Sequence, residues 1–241
     1  MLQKVRGIVL KTTDYSDTSV VAQILTDKFG TQSYLINGVK RPKAKIKMNM
    51  LQPLHLLDMV VYHKSNDNLQ RISELRPSPI FKSIPYDLLK ISIVIFINEV
   101  LYKSIRQQVP DENLFDFIFN GISWLDETEK AGPNFHLSFL LKITRFLGFS
   151  PNEQQRKDQI YFDLQEGKFV SRVPIHANYL TELDAKPFIL LYKTPIEKSS
   201  EIILPNVQRR VILDKILVYY QLHTASFGEI KSHKILEELF S

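Results

Sequence analysis

Apolar and polar positions change their rhythm once along this chain. Before about residue 80 the apolar runs are short and bounded by turn residues: VRGIVLKT (Val5–Thr12), SVVAQILT (Ser19–Thr26), TQSYLINGV (Thr31–Val39), LHLLDMVVYHK (Leu54–Lys64) and LQRISELR (Leu69–Arg76). The connections DYSDTS, DKFGT and SNDN carry the residues of tight turns, and Gly30 supplies the flexible position of the second. Five strands with short, mostly antiparallel connections match a small closed barrel, with the OB-fold as the leading candidate.

Pro77, Pro79 and Pro85 punctuate a boundary, and the apolar spacing beyond it is helical. Tyr86–Gln107 places Leu88, Leu89, Ile91, Ile95, Ile97, Val100, Leu101 and Ile105 three and four residues apart, which predicts a long helix buried over much of its circumference. Asp111–Glu129 predicts a second, capped by Asp111, with Leu114, Phe115, Phe117, Ile118, Phe119, Ile122, Trp124 and Leu125 on its core side. A third spans Asn134–Phe149 and stops at Gly148 before Pro151. IYFDLQEGKFVS (Ile160–Ser171) predicts a hairpin turning at Glu166–Gly167, and helices follow at about Ala177–Leu191, Asn206–His223 and Lys231–Phe240. The expected fold class is α+β: a five-stranded OB-type barrel over 1–80, then a mainly helical domain over 81–241 with a small hairpin near 158–172.

Charge sharpens this division. The net charge of +5 is not spread evenly, because residues 1–80 hold 12 Lys and Arg against 6 Asp and Glu, and the remaining residues hold 19 against 20. The excess concentrates in GVKRPKAKIKMNMLQP (Gly38–Pro53), where Lys40, Arg41, Lys43, Lys45 and Lys47 fall within eight positions and no acidic residue occurs between Asp27 and Asp58. Such a run is a solvated loop kept basic for solubility, a purely structural hairpin tip, or a contact for a polyanion, and the asymmetry between the two halves favours the last. Lys43, Lys45 and Lys47 alternate with Ala44 and Ile46, so an extended backbone projects all three lysines from one face. Pro42 opposes helix there, which leaves a basic loop or strand edge. Tyr15, Phe29, Tyr34 and Tyr62 are candidate platforms for stacked bases, or else barrel core and rim.

Catalytic chemistry has no comparable signal. There is no cysteine, and His55, His63, His136, His176, His223 and His233 form no HExxH or other metal-ligand spacing. No nucleophile elbow, Walker A loop or dinucleotide fingerprint occurs, so we expect no enzyme activity, no cofactor and no metal. The greasiest segment, Ile91–Ile97, is too short to span a bilayer, and the N-terminal run before Lys11 is too short for a signal peptide. A soluble, cytoplasmic protein without membrane contact is expected.

The order of motifs resembles the RecO family of bacterial recombination mediators. Its elements fall at Gly7–Leu10, Asp14–Ser19, Thr26–Gly30, Gly38–Arg41 and Leu51–Pro53, and continue in NLFDFIF (Asn113–Phe119), LLKITRFLGFSP (Leu140–Pro151) and YYQLHTASFGEIKSHKIL (Tyr219–Leu236). The resemblance implies an N-terminal OB domain and a helical C-terminal domain. It also implies binding to single- and double-stranded DNA, strand annealing, and cooperation with RecR in loading RecA onto DNA coated with single-stranded DNA-binding protein (SSB). It places the protein in the bacterial cytoplasm at the nucleoid. Many members carry a four-cysteine zinc site after the LGF element; the corresponding SPNEQQRKDQIYFDLQEGKFV has no cysteine, so the zinc is expected to be absent.

The expected DNA contacts are Lys40, Arg41, Lys43, Lys45 and Lys47, with Arg6 and Lys11 on the first strand as weaker ones. The resemblance further implies a groove for the acidic, hydrophobic SSB tail in the helical half. Phe139, Lys142, Ile143 and Arg145 on the third helix offer the apolar and cationic side chains it needs. Two alternatives share the charge pattern: a generic OB-type RNA-binding module, and a protein scaffold whose basic loop docks an acidic partner.

Overall fold

The computed structural model describes residues 1–64, 69–105, 109–129, 131–233 and 236. By contact the chain divides into two compact units, Met1–Thr128 and Glu129–Ser241. Five strands of the first unit, β1 (Leu2–Asp14), β2 (Val20–Thr26), β3 (Gly30–Ile36), β4 (Leu56–Tyr62) and β5 (Leu69–Pro77), close a barrel in the order β1-β2-β3-β5-β4. All neighbours are antiparallel except β3 and β5, which pair in parallel through Ser33 with Leu69, Tyr34 with Gln70 and Leu35 with Arg71. The expected SNDN turn before β5 lies outside the described residues.

The barrel interior is filled from alternate positions, among them Val5, Val9, Ile24, Tyr34, Met59 and Val61. Gly7 sits in that inward row because a Cβ there would come within 2.6 Å of the Met59 methyl and 2.8 Å of Ile24. Ile8 and Leu10 point the other way and are buried as well, since α1 (Leu88–Ser104) packs against β1. A strand covered on both faces reads as a continuous apolar run, hence GIVL rather than strict alternation.

The helices α1 and α2 (Glu112–Glu127) group with the barrel and not with the later helices, although the expected boundary was at residue 80. Polar contacts account for this. The Asn98 side chain donates to the Leu10 carbonyl at 2.9 Å, and Lys11 donates to the Tyr102 hydroxyl at 2.9 Å. Asp87 caps α1 by accepting from the Leu89 and Lys90 amides, and Asp111 caps α2 from the Leu114 amide, as expected for that residue. In α1 the buried side is Ile93, Val94, Phe96, Ile97, Val100 and Leu101, while Leu88 and Ile95 are exposed. Lys90 is also fully buried and donates to the Ser83 hydroxyl and the Thr128 carbonyl. Beside it the Asp126 carboxylate accepts from the Lys82, Ser83 and Ile84 amides. Burial pushes that carboxyl up, but the amide donors outweigh it and hold it below the usual carboxylate range.

The second unit contains α3 (Phe135–Leu147), α4 (Glu182–Lys193), α5 (Asn206–His223) and a three-stranded sheet. Gly148 closes α3 at φ 85°, the left-handed conformation that favours glycine, so the expected stop is present. The hairpin forms as β6 (Tyr161–Asp163) and β7 (Lys168–Val170), and a third strand, β8 (Tyr179–Leu180), pairs with β6. The expected helix start at Ala177 is therefore corrected to Glu182, because Leu180 is buried in the sheet first. Pro187 lies inside α4 and removes the amide that would bond the Leu183 carbonyl; the Gln208 side chain of α5 donates there instead at 3.0 Å. The last expected helix, about Lys231–Phe240, falls largely on residues outside those described. Among the described residues no helix is long and apolar enough to cross a membrane.

His136 on α3 is buried, and its imidazole is pushed down to about 3, first by burial and then by the positive Arg209. The folded chain then refuses a proton that the unfolded chain takes up near pH 6.5. Stability from this residue is whole above about pH 6.5 and is lost as pH falls toward 3, by up to about 1.4 kcal/mol per pH unit. Urea titrations between those limits should show this slope, and His136→Gln should flatten it whatever its stability at neutral pH.

Candidate nucleic-acid interface

Residues 37–55 connect β3 to β4, which are not neighbours in the barrel, so this segment crosses the barrel end. It does so through turns and not as a paired strand: the Arg41 amide bonds the Gly38 carbonyl at 3.0 Å and the Ala44 amide bonds Arg41 at 3.1 Å. A 3-10 turn, Met48–Leu51, leads into β4. Val39 and Leu51 join the barrel core, and Ile46 and Met48 pack against it. Lys43, Lys45 and Lys47 alternate with these apolar anchors and are exposed, as are Lys40 and Arg41. The alternation in the sequence thus reflects one apolar side seated on the barrel and one cationic side in water.

The seven expected contacts do not share one environment. Lys40 pairs with Asp14 at 2.7 Å; Asp14 is largely exposed, so water screens the pair. Arg41, Lys43, Lys45 and Lys47 form no ion pair among the described residues. Arg6 is held elsewhere, bonded to Asp27 at 3.3 Å and Asp116 at 2.9 Å with its guanidinium over the Phe115 and Phe119 rings. Lys11 lies over the Tyr102 ring at 4.5 Å. Both cations tie the barrel to the helices α1 and α2, a role the local sequence did not reveal because the partners lie about 90 to 110 residues away.

The aromatic candidates separate in the same way. Tyr34 is fully buried in the barrel core, and its hydroxyl is pushed well above the ordinary range by burial and then by Asp27. Phe29 stacks on His63, with centroids 3.7 Å apart, and closes the other end of the barrel wall. Tyr15 and Tyr62 remain exposed. Tyr15 lies in the β1–β2 loop, which is bonded to the basic segment: the Lys40 amide donates to the Thr18 carbonyl at 3.3 Å and Ser19 donates to Asn37 at 3.2 Å.

On α3, the side chains expected to receive an apolar tail are core. Phe139 and Ile143 are fully buried, which removes them from any surface groove. Lys142 donates to the Tyr192 carbonyl at 2.7 Å, and burial lowers its ammonium despite Glu197 and Glu153; Arg145 is exposed. An open groove of about 670 Å³ lies instead along α4, lined by Leu183, Lys186, Pro187, Leu190, Lys198 and Ile203. Sequence reading missed it because Leu183, Pro187 and Leu190 have the spacing of a core stripe.

The small sheet has no zinc ligand set. Its region lacks cysteine, and among the described residues no three His, Cys, Asp or Glu side chains group as a metal site. Asp163, the natural donor there, is taken up by the Gln165 and Glu166 amides and by His176 at 3.3 Å. The hairpin is packed instead on aromatic edges, with Phe162 against Phe169, Phe188 and Tyr219.

A closed five-stranded barrel of OB topology, followed by a helical region with a small hairpin sheet, defines the class: an OB-barrel protein with a fused helical half. The family profile for the recombination protein O N terminal matches residues 1–81, and that for the recombination protein O C terminal matches residues 85–232. The DNA repair protein RecO of Phocaeicola vulgatus is 35% identical over 241 residues, covering 100% of both chains. Those of Flavobacterium psychrophilum and Porphyromonas gingivalis are 32% and 31% identical, covering 99% and 98% of each chain. The chain belongs to the RecO family of DNA repair proteins.

With no cysteine in the chain and no grouped metal ligands among the described residues, chelator should leave the thermal midpoint unchanged, and elemental analysis should find no stoichiometric metal. A stoichiometric zinc would contradict this account of the hairpin.

Proposed function

We propose that this protein is a non-enzymatic mediator of homologous recombination. In this reading it binds single- and double-stranded DNA through a barrel domain over residues 1–80, anneals complementary strands, and with RecR helps load RecA onto SSB-coated DNA. Membership of a DNA repair family supports the setting, and one observation carries the binding role: four exposed cations, Arg41, Lys43, Lys45 and Lys47, that form no ion pair among the described residues and are held on the crossing segment. A loop kept only for solubility needs no apolar side seated on the core.

Phosphate contact releases condensed counterion, so the charge is measurable as a salt slope. Four contacts to a single strand give about −2.8 in log K against log salt, from roughly −0.7 per phosphate. Replacing Arg41, Lys43, Lys45 and Lys47 by Gln should flatten the slope by up to that amount, weaken binding to every sequence alike and abolish annealing of SSB-coated strands. Circular dichroism should be unchanged. A folded variant that retains affinity and slope would return the segment to a solubility role, and a preference for RNA over DNA would favour a generic RNA-binding module.

For the SSB tail we propose the α4 groove in place of α3. Leu183, Leu190 and Ile203 are exposed apolar surface, and Lys186 and Lys198 supply cations for acidic side chains and a terminal carboxylate. Lys198→Glu should weaken binding of the cognate tail peptide about tenfold in anisotropy titrations, with bare-DNA affinity unchanged. If only Arg145→Glu weakens it, the groove lies at α3.

A further inference from the structure

Tyr15 is an exposed aromatic side chain in an otherwise polar loop, with 63% of its surface open to water. Among the described residues its hydroxyl has no hydrogen-bond partner and its ring packs on no other ring. The loop that carries it is closed by its own backbone: the Tyr15 and Ser16 amides donate to the Ser19 carbonyl at 3.0 and 3.2 Å, and the Ser19 amide donates back to Ser16 at 3.3 Å. A ring presented on a pre-formed turn loses little freedom when a ligand covers it.

The loop itself carries Asp14 and Asp17, and its link to positive charge is the basic segment beside it. Asp14, the residue before it, holds Lys40 at 2.7 Å, and the loop is bonded to the basic segment at Thr18 and Ser19. Asp17, exposed in the same loop, repels phosphate and leaves the basic segment as the favourable side for a backbone. The face across β2 and β3 that OB barrels commonly offer is different here. Its outward positions Val21, Gln23, Ser33 and Leu35 are half-buried and include no aromatic ring.

From these placements we infer that Tyr15 is a base-stacking residue, and that single strands are held at the loop end of the barrel, with one unpaired base on the Tyr15 ring and its flanking phosphates on the basic segment. The inference rests on the phosphate-binding reading of that segment. A base inside the duplex stack cannot offer its face to the ring, so away from duplex ends this contact belongs to single strands.

The test compares Tyr15→Ala and Tyr15→Phe in the full chain, titrated with oligo(dT), a blunt duplex and oligo(U). Stacking predicts that Tyr15→Ala weakens oligo(dT) binding about tenfold, within the usual range for one stacked base, and leaves the salt slope unchanged. Duplex affinity should change less than about twofold, and Tyr15→Phe should restore single-strand binding. An equal loss on oligo(U) would still support stacking and show that the ring ignores the sugar. Equal losses on oligo(dT) and duplex, failure of Tyr15→Phe to rescue, or no loss at all would each overturn the inference. A Tyr15 effect that persists while the lysine replacements leave the salt slope unchanged would instead overturn the phosphate reading and keep the ring.

Discussion

Closure of the barrel through the parallel pairing of β3 and β5 is the constraint on which the rest of the first unit depends. Once β5 occupies the edge of β3, β4 can pair only with β1 and β5, and the chain must cross the barrel end to reach it. A crossing over an open core must cover it, so Val39, Ile46, Met48 and Leu51 face inward. Lys43, Lys45 and Lys47 between them are left on the solvent side. Closure thus accounts for the exposure of the segment's outer side, while the charge placed there is set by the sequence.

What was legible in the sequence follows from the range of the forces involved. Strand periodicity, the Asp111 cap and the Gly148 stop are local, and each stands where the pattern placed it. The alternation of Lys43, Lys45 and Lys47 was readable as a two-sided segment, although its conformation is a series of turns and not a strand edge. Long-range partners were not readable. Arg6 and Lys11 look like free cations on a first strand until Asp116 and Tyr102 come to meet them. Phe139 and Ile143 show the converse limit, because a helix buried around most of its surface has the same composition as one with an open apolar groove.

The hairpin sheet is held by aromatic packing. Phe162 sits among Phe169, Phe188 and Tyr219, drawn from one strand of the sheet and two helices, so burial of ring area ties the sheet to both. Tyr219 also donates to the Phe149 carbonyl at 2.7 Å, and its phenol is pushed up by burial, which fixes the cluster to the end of α3.

The separation of roles within the crossing segment has a consequence for variation among such chains. Ile46 and Met48 anchor it through dispersion and burial, while Lys43, Lys45 and Lys47 are exposed and form no ion pair among the described residues. Substitutions at the anchors are filtered by stability and those at the cations by affinity, with little interference between the two. A lineage could therefore gain or shed charge here one residue at a time and retune its grip on a polyanion while the barrel stays as it is. Affinity in this architecture is an evolutionary dial mounted on a fixed frame.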